Sequence, residues 1–177
     1  LKAANERSDD LQHPVFPFDI LLMGGDDICM VVPASVALDV ALTLAETFHQ
    51  ETKKASEQKK LLKAHTLSVG VVLAPIKYPF GLLQEMAETT LKFAKKKGTD
   101  ARAAQKVKDA SFDDTRINFF IVTGGSSSDF KAVHEAVYHE QNDITTQDFY
   151  ATLRPYAPED LHILLNAIRS KDGANLG

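Results

Sequence analysis

The sequence predicts an α+β fold in which helices pack on a sheet that contains a β-hairpin. Two apolar runs, residues 20–23 and 28–32, flank the tetrad Gly24, Gly25, Asp26 and Asp27. Runs this short and apolar are typical of strands buried on both faces, and a turn containing glycine joins such strands into a hairpin. Strand and helix patterns then alternate along the chain, which favours helices layered on a sheet.

Before residue 75, the sequence predicts an entry segment, the hairpin, a helix with a charged continuation, and another strand. Residues 1–17 are polar and interrupted by prolines, and we interpret them as the remnant of a longer N-terminal part. After the hairpin we expect a helix with Ser35 as its N-cap. A charged segment, residues 51–63, extends or follows this helix as a solvated face or connector. The apolar run 65–74 predicts another buried strand.

An amphipathic helix is predicted to begin after Pro79, because its apolar residues recur at helical spacing. Three lysines, at positions 95–97, fit the last turn of this helix, and Gly98 fits its C-cap. A strand is expected at 117–123. Two or three helices are predicted to complete the chain, and the clearest of them runs from Pro158 to about residue 170.

Composition describes a globular protein of one ordinary domain, since 44% of the 177 residues are apolar and 25% are charged. A net charge of −4 argues against constitutive electrostatic binding of nucleic acid. No apolar stretch approaches the roughly 20 residues of a membrane span, so no membrane partner is expected. Cys29 is the single cysteine, which excludes an intramolecular disulfide and a zinc cluster and favours the cytoplasm.

The tetrad carries the chemistry that the residues themselves indicate. Two adjacent carboxylates, Asp26 and Asp27, at the tip of an apolar hairpin fit a hard divalent cation and an oxygen-rich substrate. Mg²⁺ takes one or two carboxylates and completes its octahedron with water and phosphate oxygens. Gly24 and Gly25 lack Cβ atoms, which lets phosphate groups lie against the backbone. An ordinary hairpin turn remains the alternative on this pattern alone, since Asp and Gly are common turn residues.

Three segments follow one another in an order that resembles the palm domains of the GGDEF diguanylate cyclases. They are residues 24–27, 67–71 and 91–95, with Gly98 shortly after the last. They are more similar to the second palm domain of the large subunit of type III CRISPR effector complexes, which makes cyclic oligoadenylates from ATP. The resemblance implies a ferredoxin-like palm with an antiparallel sheet, of the nucleotidyl cyclase and polymerase type. It divides the chain into residues 1–17, a palm at 18–123 and a helical extension at 124–177.

By position, the resemblance assigns Asp26 and Asp27 as catalytic metal ligands for Mg²⁺ or Mn²⁺. Gly24, Gly25, Ser68 and Lys95 become nucleotide-binding residues, with Lys95 on the triphosphate. It further implies a purine nucleoside triphosphate, ATP, as substrate and pyrophosphate as the released product. The implied partners are a second palm domain or a homodimer, within a CRISPR ribonucleoprotein complex for antiviral defence.

Two departures keep other functions open. Palms of this family begin with a strand that supplies a further metal ligand, and nothing before Leu11 reads as a strand; a catalytically silent nucleotide-binding or scaffold palm is therefore the alternative. Asp27 stands where diguanylate cyclases carry Glu-Phe, which disfavours that activity. Residues 123–128 and the group His134, Tyr138 and His139 are better interpreted as a plain loop and a helix surface.

Overall fold

The structure is a computed structural model that describes residues 18–105, 112–122, 139–142, 147–150 and 154–174. The chain forms two compact units, residues 1–38 and residues 39–177, which are described separately below. The predicted N-terminal segment 1–17 and the serine-rich loop 123–128 lie outside the described residues.

The first unit contains a β-hairpin. Strand β1 (Asp19–Gly24) pairs antiparallel with β2 (Asp27–Val31), and a bulge interrupts the pairing at Leu21. The prediction that these strands are buried on both faces is wrong, since the apolar side chains from Ile20 to Met23 are 47% to 66% exposed. In the described part of the chain this sheet has two strands, so neither strand is an interior strand.

A short 3₁₀ turn, Ala34–Val36, leads from the hairpin into the first long helix. Ser35 lies within this turn and makes no capping hydrogen bond, so its assignment as a helix N-cap is wrong. Helix α1 follows at Ala37–Glu57 and extends into the charged segment predicted at residues 51–63. Its buried residues Ala41, Leu42 and Ala45 recur at helical spacing and face the core.

The second unit is built around a parallel βαβ element. Strand β3 (Val69–Leu73) pairs in parallel with β4 (Ile117–Ile121), from Val69 opposite Ile117 to Leu73 opposite Ile121. Helix α2 (Phe80–Ala103) forms the connection between them. The predicted antiparallel sheet is therefore wrong here, because a helical crossover returns the chain to the same end of the sheet before β4 begins.

Helix α2 lies unusually close to β3, and Gly70 makes this possible. A Cβ atom on Gly70 would lie 2.5 Å from the backbone nitrogen of Leu91 and 2.7 Å from the carbonyl oxygen of Ala87. Both contacts are with helix backbone, which does not move aside as a side chain does. Met86, Phe120 and Val122 form the buried core beneath this contact, with Val72, Leu83 and Phe93 packed around them.

Helix α2 continues past Gly98, so the C-cap predicted there is wrong. Gly98 is buried inside the helix, and a Cβ atom there would lie 2.5 Å from the carbonyl oxygen of Asp114. The glycine thus serves a tertiary contact rather than a helix end. Arg102, in the true last turn, donates from Nε to Asp114 Oδ2 at 2.5 Å and from Nη2 to the Phe112 carbonyl at 3.2 Å.

The carboxylate of Asp114 joins three chain segments. Thr66, just before β3, donates its hydroxyl to this carboxylate, which also receives Arg102 from α2. Burial favours the neutral acid, but the hydrogen bonds from Arg102 and Thr66 outweigh it and lower the pKa of Asp114. The same hydrogen bond raises the pKa of Arg102. The pair fixes the segment that enters β4.

The C-terminal part adds a hairpin and one helix in the described residues, where a helical extension was predicted. Strands β5 (His139–Asn142) and β6 (Gln147–Tyr150) pair antiparallel, and helix α3 (Pro158–Ala174) begins at the predicted proline. Tyr156 forms a bridge to Ile117 on β4, with backbone hydrogen bonds of 2.8 and 2.9 Å. Arg169 and His162 of α3 pair with Asp39 and Glu46 of α1 at 2.6 and 2.9 Å.

The close contact at Gly70 makes a prediction about stability. Gly70→Ala should lower the free energy of unfolding by roughly 1–3 kcal/mol or more, because the methyl group overlaps helix backbone. Gly81→Ala is the control: Gly81 lies in the first turn of helix α2, and a Cβ atom there would meet nothing within 4 Å. That change should raise stability by up to about 1 kcal/mol. Urea unfolding measures both, and equal effects would contradict the contact.

Candidate functional site

The tetrad forms a two-residue turn at the tip of the hairpin. Gly24 pairs with Asp27 at the end of the ladder, which leaves Gly25 and Asp26 as the two central residues. Gly25 has a φ of 62°, a left-handed conformation that glycine adopts without the steric cost that a Cβ atom brings. Tight hairpin turns need such a φ at their first central position. The turn therefore brings Gly24, Gly25, Asp26 and Asp27 together.

Both carboxylates of the turn are exposed and available. Asp26 and Asp27 make no side-chain hydrogen bond and no ion pair with any residue in the described ranges. Two adjacent carboxylates without a cationic partner repel each other and attract counter-ions. This donor set suits a hard cation such as Mg²⁺, which needs one or two carboxylates from a protein and takes its remaining ligands from water and phosphate.

The glycines leave open space beside these carboxylates. A Cβ atom built on Gly24 or Gly25 would meet nothing within 4 Å. Gly25 needs its positive φ, but Gly24 has neither a positive φ nor a crowded neighbour that requires a glycine. The backbone and neighbours of the described residues therefore do not explain why position 24 carries a glycine.

The other two predicted site residues belong to the second unit. Ser68 is half-buried directly before β3, and Lys95 is exposed on α2. The expectation that Lys95 to Lys97 occupy the last helical turn is wrong, because α2 runs on to Ala103 and its last turn holds Arg102. The helix dipole therefore does not explain Lys95, since that effect is confined to the terminal turn.

No third ligand joins the two aspartates in the part of the chain that the structure describes. There, no group of three or more His, Cys, Asp or Glu side chains lies close enough to hold a metal ion. A site built on Asp26 and Asp27 thus depends on phosphate and water for its remaining ligands. Magnesium sites that hold nucleotides are commonly of this kind.

Sequence reasoning missed the residues that fix helix α2. Gly70 lies inside a strand pattern, and a glycine there is a recognised signal for close backbone approach. The Arg102–Asp114 pair left no such signal, because its members are 12 residues apart in the sequence. Helix α2 carries Lys95, one of the predicted site residues.

The hairpin and the βαβ element are compatible with a palm-like α+β domain, and comparison with protein families agrees. The family model described as Cas10/Cmr2, second palm domain, matches residues 15–104, just over half of the chain. The chain therefore belongs to this family of CRISPR-associated palm domains, and the predicted resemblance to it is confirmed. The family provides the context of a CRISPR effector complex.

Other comparisons add no relatives: no curated protein and no solved structure gives a significant match. A search of the described helices finds none with the length and apolar character needed to cross a bilayer. Of the group His134, Tyr138 and His139, the first two lie outside the described residues and the third begins β5.

Lys95 provides a test of the residue assignment. Lys95→Ala should weaken ATP binding about 10- to 100-fold, because a charged hydrogen bond to phosphate contributes roughly 1.5–3 kcal/mol. Lys97→Ala is the matched control, since this lysine is also exposed on α2. Isothermal titration calorimetry measures both affinities, and equal losses would indicate diffuse electrostatics instead of a specific contact.

Proposed function

We propose that this chain is a metal-dependent nucleotide-binding palm of the nucleotidyltransferase type, with ATP as its nucleotide. Asp26 and Asp27 hold Mg²⁺ or Mn²⁺, and the open backbone at Gly24 and Gly25 receives the phosphate groups. The observation that carries the proposal is a pair of exposed carboxylates, without partners among the described residues, at a glycine turn with open space beside it. Membership of the Cas10/Cmr2 second palm family supports it.

The chemistry proposed for the site is transfer of a nucleotidyl group. A 3′-hydroxyl of one nucleotide attacks the α-phosphorus of another, a phosphorus–oxygen bond forms, and the bond to pyrophosphate breaks. A bound cation would lower the pKa of the attacking hydroxyl, whose proton would pass to solvent, and would balance charge on the leaving pyrophosphate. Asp26 and Asp27 set the position of the cation, and Lys95 offers a positive charge to the terminal phosphate oxygens.

Reaction needs a second nucleotide whose hydroxyl lies in line with the α-phosphorus. We propose that a second palm domain, in the same complex or in a second copy, holds that nucleotide. The product is then a cyclic or linear oligonucleotide, as the resemblance to type III CRISPR large subunits implies. The cytoplasm is the compartment where ATP, magnesium and the proposed partners meet.

A catalytically silent nucleotide-binding or scaffold palm is the second candidate. One observation favours it: in the described ranges, no third acidic side chain approaches Asp26 and Asp27 closely enough to complete a metal site. Such a palm would bind ATP as a sensor or scaffold and would not convert it to product. The two candidates share the binding site and differ in product formation.

The binding site itself is tested by removing its carboxylates. The double variant Asp26→Ala, Asp27→Ala should lose Mg²⁺-dependent ATP binding and keep its melting temperature, because both side chains are exposed and have no partner in the described part of the chain. Gly24→Ala should also keep the fold but lower ATP affinity, since its methyl group enters the open space. Asp100→Ala, an exposed acid on α2, is the control. Calorimetry showing unchanged affinity in the double variant would refute the proposal.

Product formation separates the two candidates. The effector complex that contains this chain should form oligoadenylate from ATP with Mn²⁺, and the complex assembled with the double aspartate variant should form none. Chromatography of the reaction measures the products. ATP binding without any product, in the presence of the complete complex, would favour the silent palm and leave the binding site intact.

A further inference from the structure

The segment that follows helix α1 combines exposed apolar side chains with positive charges. Residues 59–63, here called the lysine–leucine loop, read Lys59, Lys60, Leu61, Leu62 and Lys63. All five are exposed, and the side chain of Leu62 is fully exposed. The loop therefore presents two large apolar side chains between three positive charges.

Hydrogen bonds fasten the backbone of the loop at both ends. At its start, the Lys60 amide donates to the Ala55 carbonyl at 2.9 Å and the Lys59 amide donates to the Ser56 carbonyl at 2.9 Å. This is the paired hydrogen-bond pattern of a Schellman helix ending. At its end, Ala64 is buried and the His65 amide donates to the Thr52 hydroxyl at 3.0 Å. The exposed leucines therefore lie on a loop whose two ends are fixed by hydrogen bonds.

Lys59 occupies the position where this helix ending normally carries glycine. Its φ is 58°, in the left-handed region that disfavours a residue with a Cβ atom. A glycine here would relieve the strain, so folding alone does not favour a lysine. Strained non-glycine residues of this kind are concentrated at binding and switch regions.

The charges of the loop are not neutralised locally. No ion pair involves Lys59, Lys60 or Lys63 in the described structure, and the residues from Gln58 to His65 include no acid. By contrast, Lys54 on the preceding helix pairs with Glu51 at 2.7 Å. The loop is a concentrated positive patch on a chain whose net charge is −4.

We propose that the lysine–leucine loop docks on another protein of the effector complex, at an apolar pocket bordered by aspartate or glutamate side chains. The pocket would bury Leu61 and Leu62, and the acidic border would pair with the three lysines. An RNA partner would satisfy the lysines but leave both leucines without apolar surroundings, which is why a protein is favoured. The inference does not depend on nucleotide binding by the hairpin.

Site-specific photo-crosslinking in the native complex tests the docking. A photoreactive residue replaces Leu62 or, as the control, Ile76, which is also a fully exposed aliphatic residue on a loop of the second unit. The complex is purified from the native host and irradiated, and adducts are identified by mass spectrometry. We expect an adduct between position 62 and a protein subunit of the complex, at a peptide rich in acidic residues, and none from position 76. An adduct with RNA, or none from position 62, would overturn the proposal.

Two substitutions add a quantitative readout. Leu62→Ser should weaken incorporation into the complex about tenfold, and Ile76→Ser should leave it unchanged. Lys59→Gly should raise the melting temperature, because it relieves the left-handed strain, and yet lower incorporation by removing a charge. If Leu62→Ser and Ile76→Ser have the same effect, or if Lys59→Gly improves both properties, the loop is not a docking site.

Discussion

The second unit depends on the close approach of helix α2 to strand β3 at Gly70. Backbone lies against backbone there, since a Cβ atom would come within 2.5 Å of the Leu91 nitrogen. This contact fixes the height of the helix over the parallel pair of strands and encloses Met86, Phe120 and Val122. Gly98 repeats the arrangement near the helix end, against the Asp114 carbonyl. Arg102 then ties the helix to the same aspartate, so the strand, helix and strand are fixed as one element.

In the hairpin, by contrast, the backbone defines the turn, and the side chains of the candidate site take no part in it. Its turn is defined by the positive φ of Gly25 and the Gly24–Asp27 pair, while its carboxylates make no hydrogen bond or ion pair in the described ranges. Side chains that do not stabilise a fold are free to bind a ligand, and a two-stranded hairpin alone is only marginally stable. The side chains of this turn can therefore change without loss of the fold. The same separation holds for the lysine–leucine loop, whose fixed backbone displays side chains that the fold does not use.

Sequence patterns predicted the elements whose signals are local. The hairpin turn, the helix starts at Pro79 and Pro158 and the strand beginning at Ile117 all follow from turn residues, prolines and apolar runs. Gly98 was misread because a glycine after three lysines is a typical helix ending, and the Asp114 carbonyl that explains it is 16 residues away. Burial of the hairpin was overestimated, because an apolar run shows what a strand can bury but not whether a neighbour covers it. Whether β3 and β4 run parallel depends on the end of the sheet to which the connecting segment returns. No local sequence pattern specifies that end.

The central claim is that the turn carboxylates bind a divalent cation together with a nucleotide. Paramagnetic broadening by Mn²⁺ tests it most directly, because it maps the cation onto individual residues of the isotopically labelled chain in solution. Substoichiometric Mn²⁺ should broaden the amide signals of residues 24–28 first, and added ATP should lower the Mn²⁺ concentration that this requires. Broadening centred elsewhere, such as at Asp113 and Asp114, or no effect of ATP on the hairpin signals, would contradict the account.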